Sequence, residues 1–298
     1  PSTTQSEIEN YVPLTITNSD LSTAIFGEKR AKITNNGNIT ITGSNGVKGI
    51  IVDTLAQATV GGNITMTNAG VYTDASNNKT GSVVIGAMGG SSLTGTGIIT
   101  ADVSGKESIA LYADNSTIDL QNTGSNIKAL DGAFAMTSTN SGTIKYAGNY
   151  IEAGQKSLMF YLDNTSKIEI NNPTTAKIAG STNATDRGTA FYYKSPTAYG
   201  TFNSGDMTTY FTNRYNSTLG NLTLNMDTGS RLFIVDNVAM NLSNTNLSLS
   251  SVTNAPIISG SSYKTFMLYQ SDLTIDQAIN LDTPTDDYNN LEIVTSKV

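Results

Sequence analysis

Between Lys106 and Gly180 one pattern is written three times, as KESIALYADNSTIDLQNTGSNIKAL, DGAFAMTSTNSGTIKYAGNYIEAG and QKSLMFYLDNTSKIEINNPTTAKIAG. Each copy opens with a four-residue apolar block: Ile109 to Tyr112, Ala133 to Met136, Leu158 to Tyr161. From Ile109 to Ala133 is 24 residues and from Ala133 to Leu158 is 25. A second, alternating beat follows at Ile118 and Leu120, Ile144 and Tyr146, Ile168 and Ile170, and a third at Ile127, Ile151 and Ile178. Alternation of apolar and polar residues is the signature of a half-buried strand. A unit of three strands and three corners cannot bury its apolar face alone, whereas stacked copies share one continuous core. The expected fold is all-β, a three-sided parallel β-helix of about 24–26 residues per rung with lateral loop insertions.

The corners repeat as well. Between the first and second beats stand Asp114-Asn115-Ser116, Thr139-Asn140-Ser141 and Asp163-Asn164-Thr165. Asn tolerates the left-handed backbone that a sharp corner demands, and stacked Asn side chains can bond from one rung to the next. A leucine-rich repeat of similar length would carry one strand per unit, and a hexapeptide helix an apolar residue every six positions. Neither matches three beats spaced 7 to 11 residues apart.

Further opening blocks occur at Gly49 to Val52, Val83 to Gly86, Ala190 to Tyr193, Leu232 to Val235 and Phe266 to Tyr269. The long steps, from 49 to 83 and from 190 to 232, place insertions near 68–80 and 194–217. Residues 1–32 read as an irregular N-terminal rung or cap, and 33–298 as the parallel β-helix. Gly86, Gly89, Gly90, Gly95 and Gly97 crowd one rung, but lack the Lys-Ser/Thr of a phosphate loop and read as tight corners. The chain begins at Pro1 and stops at Val298 in what reads as mid-strand, so a fragment of a longer protein is expected.

Composition removes several function classes. The chain has no His and no Cys. Ser-His-Asp and Cys-His catalysis, His- or Cys-ligated metals and disulfides are therefore excluded, and no cofactor is expected. A net charge of −7 without a Lys/Arg cluster argues against nucleic acid as partner. With no apolar run long enough to span a bilayer as a helix, no membrane insertion by this segment is expected. The remaining enzyme class is the β-helical polysaccharide hydrolase or lyase, which needs paired carboxylates. The one dense set, Asp282, Asp286 and Asp287, sits in a Pro-containing turn and reads as solvated.

A rod of this kind is expected to have a Thr/Asn-lined exterior, so recognition should come from whatever departs from the repeat. The largest departure is Lys194 to Ser217, with Tyr199, Phe202, Tyr210, Phe211, Arg214 and Tyr215. Aromatic residues and Arg are enriched in binding hot spots, and long loops on rigid scaffolds carry function. These six are the candidate binding residues, set against a competing reading in which the rings fold back and cover the rung.

The stacked Thr, Asn and Gly around Ile, Leu and Val beats, in phrases such as GSNGVKGIIVDTLAQATVGGNITMTN, KESIALYADNSTIDLQN and NLSNTNLSLSSVTN, resemble the passenger region of a type V autotransporter. They are similar in style to the large fusobacterial outer-membrane autotransporter adhesins. The resemblance implies a right-handed β-helix at the bacterial outer-membrane surface, extracellular or secreted, attaching to a protein or glycan receptor on another bacterium or host cell. It also implies an outer-membrane β-barrel of the same protein outside this segment. No binding residue transfers from it, because the match is a repeat style with no site motif. A passive stalk that spaces a distal binding domain from the membrane is the alternative, and a polysaccharide-degrading enzyme the third reading.

Overall fold

The computed structural model describes residues 5–163, 165–194, 200–201, 214–241, 246–247, 255–260, 263–270, 272–274, 280–281 and 291–294. Three long parallel sheets run along one rod, with seven, nine and ten strands. The first sheet runs from Glu7–Asn10 to Lys167–Ile170, the second from Leu14–Thr17 to Ile257–Ser259 and the third from Thr23–Gly27 to Leu291–Val294. Up to Ile170 the chain visits them in turn, and each strand inside a sheet pairs with its counterpart one turn earlier and one turn later. This is a parallel β-solenoid.

The alternating beats face inward in register. Ile118, Ile144 and Ile168 pair in one column of the first sheet, and all three are fully buried. In the second sheet the ladder runs Ile127, Ile151, Ala176, and Ile178 stacks two positions further on with Ala129 and Ala153. A shift of two keeps the same face, so Ile178 is still buried. The opening blocks behave differently. Ile109 pairs with Phe134, and Phe134 with Leu158, so the ladder passes by Ala133, and a one-residue shift reverses the face. Ile109 and Phe134 are consequently half-exposed on the outside, while Leu111, Met136, Phe160, Phe191 and Phe233 form the inward column. The inner rings then stack, with Phe160 and Phe191 centroids 5.5 Å apart.

Residues 7–27, expected as an irregular rung or cap, carry three strands that pair 25 residues ahead with the same register as later turns. Their irregular look comes from composition: the edge strand EIEN has only one apolar residue. The insertion near 68–80 forms a small antiparallel hairpin, Tyr72–Thr73 against Lys79–Thr80. Asp74 closes it by accepting the N–H groups of Ser76 and Asn78 at 2.8 Å each.

Corner chemistry follows the expectation in part. Asn115 and Asn140 take the left-handed backbone, with φ of 49° and 51°. The inter-rung ladders, however, are mixed. Ser82 Nα–H donates to Ser108 Oγ at 3.1 Å, Ser91 N–H to Ser116 Oγ at 2.9 Å, and Ile98 N–H to Asn63 Oδ1 at 2.9 Å. Each bond gives a corner amide a partner on an adjacent rung, and Ser91 N–H shares its proton with Met88 O of its own turn.

Candidate binding face

In a strand successive side chains point to opposite faces. The outward residues of the first sheet are polar throughout its middle: Thr34, Thr59, Thr94, Asp119, Lys145 and Glu169 occupy one register column. The second sheet presents Thr15, Thr40, Thr65 and Thr100 in the same manner, then Asp102, Lys128, Glu152 and Lys177 in the next column. Burial raises the Asp102 carboxyl above its usual range, Lys128 beside it pulling the other way.

The third sheet departs from this. Its opening blocks are apolar at consecutive positions, so when one residue enters the core its neighbour must face out. Phe26, Ile51, Gly86, Tyr112, Thr137, Tyr161, Tyr192 and Ile234 form one outward column, and Val83, Ile109, Phe134 and Leu158 a second. Phe26 is 49 % exposed, and Tyr112, Tyr161 and Tyr192 are half-buried. The rings touch along the rod: Phe134 meets Tyr161 edge-on at 6.5 Å, and Tyr161 lies 5.2 Å from Tyr192.

Polar groups rim this apolar face. Tyr192 donates its phenol to Asp236 Oδ2 at 2.5 Å, and Lys194 Nζ lies 3.7 Å from the same oxygen. Burial and then the Asp236 bond push the Tyr192 phenol up, and burial followed by the Asp163 charge raises Tyr161. Both therefore stay neutral phenols through the physiological range. At the N-terminal end, Thr23, Phe26, Lys48, Ile51, Val83, Gly86, Met88, Ile109 and Tyr112 surround a groove of about 370 Å³. Sequence reasoning missed this face by expecting a uniformly polar exterior. The signal was present: blocks such as IALY and LMFY lack the polar alternate positions of the other beats.

Of the six residues singled out in the 194–217 insertion, Tyr199, Phe202, Tyr210 and Phe211 lie outside the described residues, as do Asp282, Asp286 and Asp287. Arg214 is half-buried. Tyr215, a candidate binding residue, is fully buried, as the competing reading of rings folded back on the rung has it, its ring edge-on to Phe160 at 5.8 Å and Phe191 at 5.1 Å. The cause is local. After Lys167–Ile170 the chain returns as a 3₁₀ turn, Asn216–Asn221, which packs on that strand and lets Asn221 Nδ2 donate to Ile170 O at 3.1 Å. Tyr215 heads this turn and fills the interior beside the phenylalanine column. Arg187 and Arg231, 44 positions apart, are brought close enough for Arg187 to add to the lowering of Arg231 to about 10, which burial dominates.

Among the described residues no cluster of three metal-ligating side chains occurs, and no helix is long and apolar enough to cross a membrane. No protein-family model matches the chain, no curated protein matches it, and no solved structure matches it.

Proposed function

We propose that this chain is a non-enzymatic binding rod, the passenger region of an autotransporter-type adhesin at the bacterial surface, and that the outward face of its third sheet is the recognition surface. One observation carries the reading: along their middles the first and second sheets face solvent mainly with Thr and charged residues, while the third sets Phe26, Tyr112, Tyr161 and Tyr192 in one outward line. Large exposed apolar patches with polar rims mark interaction sites, and Tyr is a favoured interface residue because it pairs a broad apolar ring with a polar tip. The partner is a protein or glycan on another bacterium or a host cell, and display by an outer-membrane β-barrel of the same protein follows from the resemblance in repeat style.

A stalk is the second reading, favoured by the plain polar exteriors of the first and second sheets. Attachment of cells to the immobilised chain separates the two. The triple variant Tyr112→Ser, Tyr161→Ser, Tyr192→Ser should abolish attachment, and the first-sheet variant Thr59→Ser, Thr94→Ser should retain it. Full attachment by a folded triple variant would move the preference to the stalk. The 194–217 insertion is tested separately by a deletion ending before Arg214, since one reaching Ser217 would strip Tyr215 from the core.

A further inference from the structure

The outward column of the third sheet has one gap. Phe26, Ile51 and Tyr112 project side chains, but Gly86 between Ile51 and Tyr112 has none. The tip of Ile51 leans into the space: a Cβ on Gly86 would lie 2.8 Å from Ile51 Cδ1. The groove this leaves, about 370 Å³, is within the size range of small-molecule sites. Its walls are apolar except for Thr23, Lys48 and the phenol of Tyr112.

Lys48 is the informative residue. Its ammonium donates to Gly81 O, leaving two of its three donors, and it makes no ion pair among the described residues. Burial holds its pKa below the ordinary lysine value, which is the mark of an ammonium short of countercharge. The groove thus offers an apolar bed with one cation at its edge. A peptide laid there would bury backbone amides against a surface with almost nothing to bond them, and a sugar would do the same with its hydroxyls, at a desolvation cost for each orphan. An alkyl chain has no such groups, and a terminal carboxylate matches the ammonium.

We propose that the groove over Gly86 binds a free alkyl carboxylate, its chain against Ile51, Met88, Ile109 and Tyr112 and its carboxylate on Lys48. The inference goes beyond the adhesion reading, which concerns the face as a whole; it concerns the groove alone and names a soluble ligand that can be measured without any cell. The chain's overall charge of −7 repels anions at long range, so selection has to come from the apolar contact and the single local cation.

Equilibrium dialysis of the purified chain with radiolabelled decanoate, decan-1-ol and decyltrimethylammonium tests it. Decanoate should bind at one per chain and more tightly than either of the other two. Gly86→Val, at a backbone conformation open to any L residue, must push the Ile51 tip out into the groove and should weaken decanoate more than about tenfold. Lys48→Gln should weaken decanoate about tenfold and leave decan-1-ol unchanged. Far-UV circular dichroism and melting confirm that both variants fold, and Tyr192→Ser, remote on the same face, should bind decanoate like the parent. Absent binding, equal binding by folded Gly86→Val, or equal affinity for decyltrimethylammonium would overturn the proposal. A dimer of the parent that Gly86→Val dissociates would place a second copy of the chain in the groove and overturn it too. Full cell attachment by a Tyr161→Ser, Tyr192→Ser variant that still binds decanoate would sink the adhesion reading alone, and lost attachment with no decanoate binding by the parent would sink the ligand reading alone.

Discussion

Replacing Tyr146 by Phe removes one oxygen from the middle of the core. Tyr146 follows Leu120 and precedes Ile170 in an inward column of the first sheet, and it is fully buried. Its phenol reaches across the interior to Ser125 O and Tyr150 O, 2.9 Å from each. Gly148 makes room for it, since a Cβ there would sit 2.2 Å from the Tyr146 hydroxyl. The hydroxyl has a single proton to share between two carbonyls. Ser125 O keeps a second donor, the Asn149 N–H at 3.0 Å, so the substitution leaves it satisfied. The loss is therefore that of about one net buried hydrogen bond, roughly 1–2 kcal/mol, and well below the 3–5 kcal/mol of emptying an aromatic site. Urea unfolding followed by far-UV circular dichroism reads the difference. Burial also pushes the phenol pKa up. A raised folded value means that the contribution is complete below the unfolded value near about 10 and is lost as pH rises beyond it. The gap between parent and Tyr146→Phe should accordingly narrow above about pH 10. Equal urea midpoints at pH 7 would refute the reasoning, because they would mean that the hydroxyl has no buried partners to lose.

Tyr215→Ala should cost about 3–5 kcal/mol in the same melts, as for a core ring; a shift below about 0.5 kcal/mol would return Tyr215 to the surface. Ile168→Asp should disrupt the rungs on either side of it, since an unpaired charge in a dry core costs several kcal/mol, whereas Lys145→Ala, which removes only a half-exposed 3.9 Å pair with Glu169, should shift stability by less than about 0.5 kcal/mol. Equal midpoints for these two would mean that the faces are reversed. Asp163 is pulled in two directions: burial raises its pKa, and the bonds from Ser166, Asn140 and Thr165 together outweigh it and hold it below the usual range. A depressed folded value stabilises above the unfolded pKa, so Asp163→Asn should be less stable than the parent at pH 7, by less than about 1 kcal/mol because solvent screens this half-exposed group, and the two should converge as pH falls below about 4. A gap that persists at pH 2 would show that the carboxylate charge is not what the corner uses.

The solenoid was legible in the sequence because its cause is local and repeated. A beat such as Ile144, Lys145, Tyr146 assigns its own faces, and copies 24 to 26 residues apart can bury those faces only by stacking. Asn115 and Asn140 announced their corners for a similar reason, since few residues accept a positive φ. The opening blocks carried no such phase. Four apolar residues in a row read the same whichever face is buried, so only the ladder pairing of Ile109 with Phe134 decided that one stripe of Phe and Tyr faces water. Tyr215 was beyond the repeat altogether. Its place depends on the 3₁₀ turn at Asn216–Asn221 docking against Lys167–Ile170, a contact between segments about fifty positions apart that no spacing records. The sequence by itself determined the rungs, because period and burial act within each one. The tertiary structure alone decided which apolar residues were left outside, because that depends on register between rungs and on what returns to cover them.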